Sequence, residues 1–354
     1  DPYAREWQGG NSRWDVIDLF RMAQALRPEG FVWPRNEQDV PTFRLEKLTE
    51  VNGIGHESAH DAVSDVLATI DVTRKLRQAQ PKLYDFLFEL RNKKKVTSQL
   101  YPLGKQPVIH ISSMYPAAKN CIAIILPICA HPTNPNGVIC FDLSQTPDTL
   151  LKAGPNELHR LMFSRKEDLA EGETRIALKT LHINRCPAIA PIATVKGQET
   201  RLGLDMEKCM AHLRQLQTAS GVVEKIQDAI SQGGFEQHDD PDLMLYQGEF
   251  FSASDKQVMT ELRNSAPVDL MRFSQSFQDN RLPEMLTRYR ARNFPSELDK
   301  VEQESWNDYR RSVWKGDTAR RRVLDRISAL KSEGRGEAAL DDLEQYVLAV
   351  TDWL

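Results

Sequence analysis

The chain has 354 residues, enough for two or three domains that each bury a hydrophobic core. Hydrophobic residues make up 40% of it and charged residues 27%, as in ordinary globular proteins, and no run approaches the roughly 18 apolar residues of a membrane span. A net charge of −4 argues against a protein that coats nucleic acid through overall positive charge, but it leaves room for a local basic groove.

The first segment, residues 1–82, predicts helices and contains no strand pattern. Residues 44–52 indicate a short helix that ends at Gly53, and a third helix begins near residues 59–61. Before them, a helix is indicated by apolar residues at helical spacing, namely Val16, Leu19, Phe20, Ala23 and Leu26. The buried face of the third helix is predicted to comprise Val63, Val66, Leu67 and Ile70.

The start of the third helix carries a pair typical of phosphodiester hydrolysis. His60 and Asp65 lie five residues apart, so that an imidazole and a carboxylate face one cleft. In such a pair the carboxylate holds a metal ion and the imidazole deprotonates the attacking water. The residues alone leave another interpretation open, in which His60 caps the helix and Asp65 is a surface carboxylate. Asp61 would repel Asp65 on one helical face unless a cation lies there or Asp61 points to solvent.

The middle of the chain changes to short β-branched runs separated by Pro, Gly and Asn. Such runs with turns between them predict a small antiparallel barrel or sandwich, with a short helix inserted at residues 157–162. The predicted strands cover residues 107–112, 121–126, 137–142 and 177–183.

The rest of the chain is again helical in pattern. Asp239-Asp240-Pro241-Asp242 is a predicted linker before the last helical region. Helices are predicted at residues 206–220, 222–231, 255–264, 269–279, 296–332 and 336–354.

The cysteines indicate a reducing environment. Five are present, widely spaced and without a CxxC pair, which disfavours zinc ribbons and redox motifs. We therefore predict buried, reduced thiols in a cytoplasmic protein. Nothing in the sequence indicates a symmetric interface, so we expect a monomer.

Several runs together resemble the bacterial exodeoxyribonuclease I family of DEDD-type 3′–5′ exonucleases. The most unusual is the last, Tyr289-Arg290-Ala291-Arg292-Asn293-Phe294-Pro295. The others are Asp1-Pro2-Tyr3, Asn11-Ser12-Arg13-Trp14-Asp15, Ala25-Leu26-Arg27-Pro28-Glu29-Gly30, Phe43-Arg44-Leu45-Glu46, Ala59-His60-Asp61-Ala62, Arg91-Asn92-Lys93, His182-Ile183-Asn184 with Cys186-Pro187, and Leu245-Tyr246.

The resemblance implies an α+β multidomain protein that degrades single-stranded DNA to mononucleotides with two Mg²⁺ ions. Residues 1–81 would be the C-terminal remnant of an RNase H-like exonuclease domain. Residues 82–238 would form an SH3-like β-barrel with inserted helices, and residues 239–354 a C-terminal helical domain. His60 matches the family's general base and Asp65 its last metal-binding carboxylate.

Three further carboxylates of the family belong to motifs that would precede Asp1. We therefore expect residues 1–354 by themselves to be inactive as an exonuclease. The alternative is a binding module without chemistry that holds single-stranded DNA or the tail of single-strand-binding protein. A scaffold with incidental basic patches is a third hypothesis.

Candidate binding residues fall into two groups. For the acidic, Phe-ending tail of single-strand-binding protein, the resemblance implies a basic and apolar pocket built from Arg27, Phe86, Lys196 and Met210. For single-stranded DNA the candidates are Arg13, Trp14, Arg91, Lys93, Lys94, Lys95, Arg290 and Arg292. Each part of the DNA group has a structural alternative. Trp14 could be a core residue beside a structural Arg13, the basic cluster at residues 91–95 could be a solvated linker, and Arg290 and Arg292 could lie at a packed helix end.

Overall fold

The computed structural model describes residues 5, 8–55, 61–233, 238–244, 247–314, 317–334 and 336–351. The chain separates into two compact units, residues 1–234 and 235–354. Within the described residues, no helix combines the length and the apolar character needed to cross a membrane.

The first unit begins with four helices, α1 (Ile17–Leu26), α2 (Leu45–Val51), α3 (Ala62–Ala79) and α4 (Pro81–Glu89). The predicted apolar face of α1 is confirmed, since Leu19 and Ala23 are fully buried. Gly53 takes a positive φ of 67° just after α2, a backbone conformation that glycine adopts without steric cost. α3 packs against both α2 and α4.

One predicted face is wrong. The residues expected to be buried on α3 are exposed, Val63 by 66%, Val66 by 58%, Leu67 by 57% and Ile70 by 40%. The opposite face, with Ala68, Val72 and Leu76, is the one that is buried. Periodicity identifies residues that share a helix face, but the neighbouring elements decide which face is covered.

A five-stranded antiparallel sheet follows α5 (Lys93–Leu100). The strands are β1 (Val108–Ile111), β2 (Ile122–Ala130), β3 (Gly137–Asp142), β4 (Leu178–His182) and β5 (Ile189–Pro191). The first four confirm the predicted strands. The spatial order of the sheet is β4-β3-β2-β1-β5, and Ile109 pairs with Ile124 across β1 and β2. The register shifts between Pro127 and Cys129, where proline cannot donate a ladder hydrogen bond.

Helices complete the first unit around the sheet. They are α6 (Asp148–Lys152), α7 (Pro155–Phe163), α8 (Glu199–Leu202), α9 (Met206–Thr218) and α10 (Val222–Ser231). α7 confirms the helix predicted at residues 157–162, and its neighbour in space is α10. All five cysteines are free and buried.

The second unit is helical, and its small apolar cluster includes Leu262, Leu270 and Leu286. The predicted linker proves to be an anchored segment, because Pro241 is buried and Asp240 accepts a hydrogen bond from the amide of Asp242. The helices are α11 (Ala253–Arg263), α12 (Leu282–Asn293), α13 (Lys300–Trp314), α14 (Asp317–Ser332) and α15 (Glu337–Val350). A 3₁₀ segment, Pro267–Ser276, replaces the α-helix predicted at residues 269–279.

Candidate functional site

The first turn of α3 carries the predicted metal ligand Asp65. The amide of Asp65 donates to the carbonyl of Asp61 over 2.9 Å, and the carbonyl of Asp65 accepts from the Thr69 hydroxyl over 2.7 Å. His60, the predicted general base, lies outside the described residues. The roles of both residues therefore stay predictions.

Asp61 has a local structural role that the sequence left open. Its carboxylate accepts hydrogen bonds from the amides of Val63 at 3.2 Å and Ser64 at 3.0 Å. These are amides of the first helical turn, which have no partner within the helix. Asp61 is thus the N-cap of α3, and this capping explains an acidic residue four positions before Asp65 without a bound cation.

The described residues supply only part of a metal site. A carboxylate such as Asp65 has the hard oxygen chemistry that Mg²⁺ prefers. However, the described part of the chain holds no group of three or more His, Cys, Asp or Glu side chains that could bind a metal ion. A two-metal site at α3 therefore requires carboxylates from outside these residues.

The predicted basic run lies on the first turn of α5 and is exposed. Lys93 donates to the side-chain oxygen of Asn136 on the turn between β2 and β3, at 2.6 Å. Lys95 forms an ion pair with Glu89 at 3.1 Å, with both side chains more than half exposed, and Lys94 is also exposed. The run is a solvated helix start beside the sheet, where its charge is accessible to a phosphate backbone.

Arg13 and Trp14 are adjacent in sequence but differ in surroundings. Arg13 is exposed, and its carbonyl accepts from the Cys186 thiol at 3.3 Å. The half-buried Trp14 ring packs against Tyr84 and Phe88 of α4, with centroid distances of 5.4 and 5.7 Å. We call Trp14, Tyr84 and Phe88 the aromatic strip. Tyr84 and Phe88 stack at 5.9 Å with an interplanar angle of 13°.

Two arginines cover the ends of the aromatic strip. The guanidinium carbon of Arg91 lies 4.4 Å from the ring centroid of Phe88, and Arg91 also donates to the carbonyl of Gly10 at 3.2 Å. The guanidinium of Arg77 lies 4.7 Å from the ring of Tyr84. The structure therefore brings two predicted residues, Trp14 and Arg91, to one surface. Sequence reasoning missed Tyr84 and Phe88, although their spacing of four residues on a helix was a usable signal.

A pocket of about 430 Å³ lies between α1, α4, β5 and the segment that follows β5. Two of the four residues predicted for peptide binding, Arg27 and Phe86, are among its lining residues. Lys196 and Met210 are not among them, and Met210 packs on the hydrophobic core instead. The complete lining is Met22, Leu26, Arg27, Gln80, Lys82, Leu83, Phe86, Ala190, Pro191 and Thr194.

The pocket has a cationic rim that sequence reasoning found only in part. Arg27 is exposed and donates to the carbonyl of Leu26 over 2.5 Å. Lys82, the missed cation, lies four residues before Phe86 and therefore on the same face of α4. The arrangement of two cations around an apolar cleft suits a ligand with both an anionic and an apolar group.

The two arginines predicted to bind DNA in the second unit have different surroundings. Arg290 is 4% exposed, pairs with Glu302 and donates to the carbonyl of Glu297 at 3.0 Å. Arg292 is about half exposed, pairs with Asp242, and lies 5.5 Å from the ring centroid of Trp306. Contacts of Arg290 are those of a structural residue, whereas Arg292 is accessible to a ligand. DNA contact by either residue stays a prediction.

Sequence reasoning overlooked Arg288, which organises the second unit. Its side chain is 7% exposed and pairs with Asp240, Asp242 and Glu284. The guanidinium also lies 3.8 Å from the ring centroid of Tyr309, whose hydroxyl donates to Asp242 at 3.2 Å. Hydrogen bonds from Arg292 and Arg288 lower the pKa of Asp242. This network holds the 239–242 segment against α12.

A buried titratable cluster in the first unit has a structural character. Burial lowers the pKa of His110 well below its ordinary value, and its Nδ1 lies 3.1 Å from the Tyr115 hydroxyl. Burial also lowers the pKa of Lys179 to about 8, and its ammonium lies 4.5 Å from the Tyr115 ring. Because His110 is only 5% exposed, the cluster has little access to a substrate.

Comparison with family models and known proteins gives a consistent result. The exonuclease I SH3-like domain matches residues 91–232, and the exonuclease I C-terminal domain matches residues 239–350. Exodeoxyribonuclease I of Escherichia coli K12 is 38% identical over 316 residues, which cover 89% of this chain and 66% of that protein. The Buchnera aphidicola protein from Acyrthosiphon pisum is 36% identical over 299 residues, covering 83% of this chain and 70% of its own length. The chain thus spans about two thirds of the length of these curated relatives.

Solved structures show the same similarity. Exonuclease I from Methylocaldum szegediense has a TM-score of 0.81 and 42% identity, covering 99% of this chain and 75% of its own. A zinc-bound E. coli ExoI–ssDNA complex has a TM-score of 0.83 and 36% identity, with coverage of 99% and 75%. An ExoI/SSB-Ct complex has a TM-score of 0.80 and 34% identity, with coverage of 99% and 74%.

Proposed function

Because this chain belongs to the exonuclease I family, we propose that it works in the 3′–5′ degradation of single-stranded DNA to mononucleotides. The observation that carries the binding part of this proposal is the surface on which Trp14 and Arg91 both contact Phe88, with the exposed Lys93 two residues after Arg91. Cations and aromatic rings in one place are the usual composition of surfaces that bind single strands. The relative from E. coli is an exodeoxyribonuclease I, and its solved structures include complexes with single-stranded DNA.

We propose that Asp65 helps to hold one of two Mg²⁺ ions and that His60 removes a proton from the attacking water. Mg²⁺ would supply charge stabilisation at the scissile phosphate. The donor set within the described residues does not complete such a site, because Asp65 lacks the further carboxylates that two ions need. Asp61 is also committed to capping α3. Residues 1–354 by themselves are therefore expected to bind DNA without cleaving it.

Binding and cleavage are tested on the purified polypeptide of residues 1–354. We expect it to bind a fluorescent oligo-dT. A plot of the logarithm of the binding constant against the logarithm of the salt concentration should have a slope of roughly −0.7 per phosphate contacted. No mononucleotide release is expected in Mg²⁺. The binding module without chemistry predicts the same result, whereas an incidental scaffold predicts no affinity. Strong Mg²⁺-dependent release would show that the proposed dependence on further carboxylates is wrong.

The pocket beside α4 supports a second role, the capture of an acidic peptide that ends in phenylalanine. We propose that Arg27 and Lys82 bind the peptide carboxylates while Phe86 and Leu83 contact its terminal ring. One solved relative is described as an ExoI/SSB-Ct complex. Lys196 and Met210 are left out of this proposal because neither is among the residues that line the pocket.

The substitution Arg27→Ala tests this pocket. We expect about 10- to 150-fold weaker binding of a fluorescent acidic peptide that ends in phenylalanine, since a hydrogen bond to a charged group contributes about 1.5–3 kcal/mol. Lys208→Ala on α9 is the matched control, because Lys208 is also exposed but does not line the pocket. Fluorescence polarisation gives both dissociation constants. Equal losses in the two variants would indicate attraction by overall charge and contradict the pocket assignment.

A further inference from the structure

We propose that the aromatic strip is a stacking site for unpaired nucleobases, with Arg77 and Arg91 binding the adjoining phosphates. This inference rests on the proposed binding of single-stranded DNA and assigns it to specific residues. Tyr84 and Phe88 are nearly parallel, with an interplanar angle of 13°. A base continues this stack by taking the place of one of the guanidiniums that lie over the rings, because every base has a π face, and the displaced arginine then binds the adjoining phosphate.

The exposure of Phe88 distinguishes this end of the strip from a core cluster. Phe88 is 38% exposed, whereas Leu87 beside it on α4 is 2% exposed. A single exposed aromatic residue needs no explanation, but Phe88 is the exposed end of three rings in mutual contact, and the partly buried Trp14 and Tyr84 fix it on the core. The rings are held in place by one another and by α4, so that little side-chain entropy would be lost on binding.

The charges beside the strip favour nucleic acid over an apolar partner. Arg77 and Arg91 lie over the rings of Tyr84 and Phe88. Among the described residues, Arg91 makes a single hydrogen bond, to the Gly10 carbonyl, and a guanidinium has five donors. Lys93 follows two residues later at the start of α5 and extends the positive charge.

The acidic residues of α4 do not cancel this charge. Asp85 is paired with Arg77 at 3.7 Å, and Glu89 is paired with Lys95 at 3.1 Å, with all four side chains at least 58% exposed. Exposed pairs of this kind are weak and open readily. A phosphate can therefore compete with Asp85 for Arg77. Because bases in a duplex are already stacked on each other, the strip selects single strands.

Phe88→Leu tests stacking separately from charge. Two ligands of equal length are compared by fluorescence anisotropy with the 354-residue chain, oligo-dT and an abasic oligonucleotide that keeps every phosphate. We expect Phe88→Leu to bind oligo-dT about 5- to 150-fold more weakly, the range that loss of one stacked base produces. Binding of the abasic ligand and the salt slope should stay at the wild-type values, because no cation is removed.

Matched variants exclude a folding defect. Phe163→Leu on α7 removes another exposed phenylalanine, 55% exposed and outside the strip, and should change neither affinity. Phe88→Trp should restore oligo-dT binding. If Phe88→Leu weakens both ligands equally or neither, the strip does not stack bases, and the proposed function stands without it. If the wild-type chain binds neither ligand, the proposed DNA binding fails together with this inference.

Discussion

Replacing His60 by alanine is expected to slow nucleotide release by about 10²–10⁴-fold, the usual contribution of a general base. The measurement requires a chain that can assemble the complete site. We would join the part of the E. coli relative that precedes the aligned region to residues 1–354, since the family resemblance places the other metal-binding carboxylates there. Release of mononucleotides from a 3′-labelled single strand in Mg²⁺ gives the rate.

The pH profile of this chimera identifies the role of His60. With a histidine base, the rate falls as the pH drops below the pKa of the imidazole, and His60→Ala should lose this acidic limb. Asp65→Asn should also abolish most activity, and Asp71→Asn is its matched control on the exposed part of α3. A His60→Ala chimera with the wild-type rate and pH profile would exclude His60 as the general base.

Replacing Arg288 by leucine is expected to destabilise the second unit by about 2–4 kcal/mol. Removing one partner of a buried ion pair leaves the other charge poorly solvated, at a cost of about 3–5 kcal/mol when burial is complete. Because the Asp240 and Asp242 side chains are 28% and 25% exposed, water offsets part of this cost. Urea unfolding, followed by circular dichroism, measures the change in the free energy of unfolding.

Two comparisons make this prediction specific. Arg263→Leu on α11 removes an exposed arginine and should change stability by no more than about 0.5 kcal/mol. Arg292 and Arg288 lower the pKa of Asp242 in the folded protein. The stabilisation that these ion pairs give to the fold is therefore fully present above the unfolded-state pKa of Asp242, and it is lost as the pH falls through the folded-state pKa of Asp242. The difference in the free energy of unfolding between wild type and Arg288→Leu should therefore become smaller below about pH 4. A constant difference down to pH 2 would exclude an ionic origin.

The local elements were predictable because their signals lie within a few neighbouring residues. Four strands were identified from short β-branched runs between turns, and α1 from its apolar spacing. β5 was missed because it has only three residues and ends at Pro191, which leaves no alternation to detect. The 3₁₀ segment Pro267–Ser276 was assigned to an α-helix because i+3 and i+4 spacings are hard to separate over ten residues.

The sequence by itself determined the family and the order of helical and strand regions, since these depend only on residue order, whereas the catalytic roles of His60 and Asp65 stay predictions. Tertiary structure decided which surfaces are covered and which charges are paired. It exposes Val66 on α3, buries Arg290 against Glu302, and brings Trp14 to Phe88. The physical reason is that burial and ion pairing depend on elements far apart in the chain, and helical periodicity carries no information about which neighbours will pack on a given face.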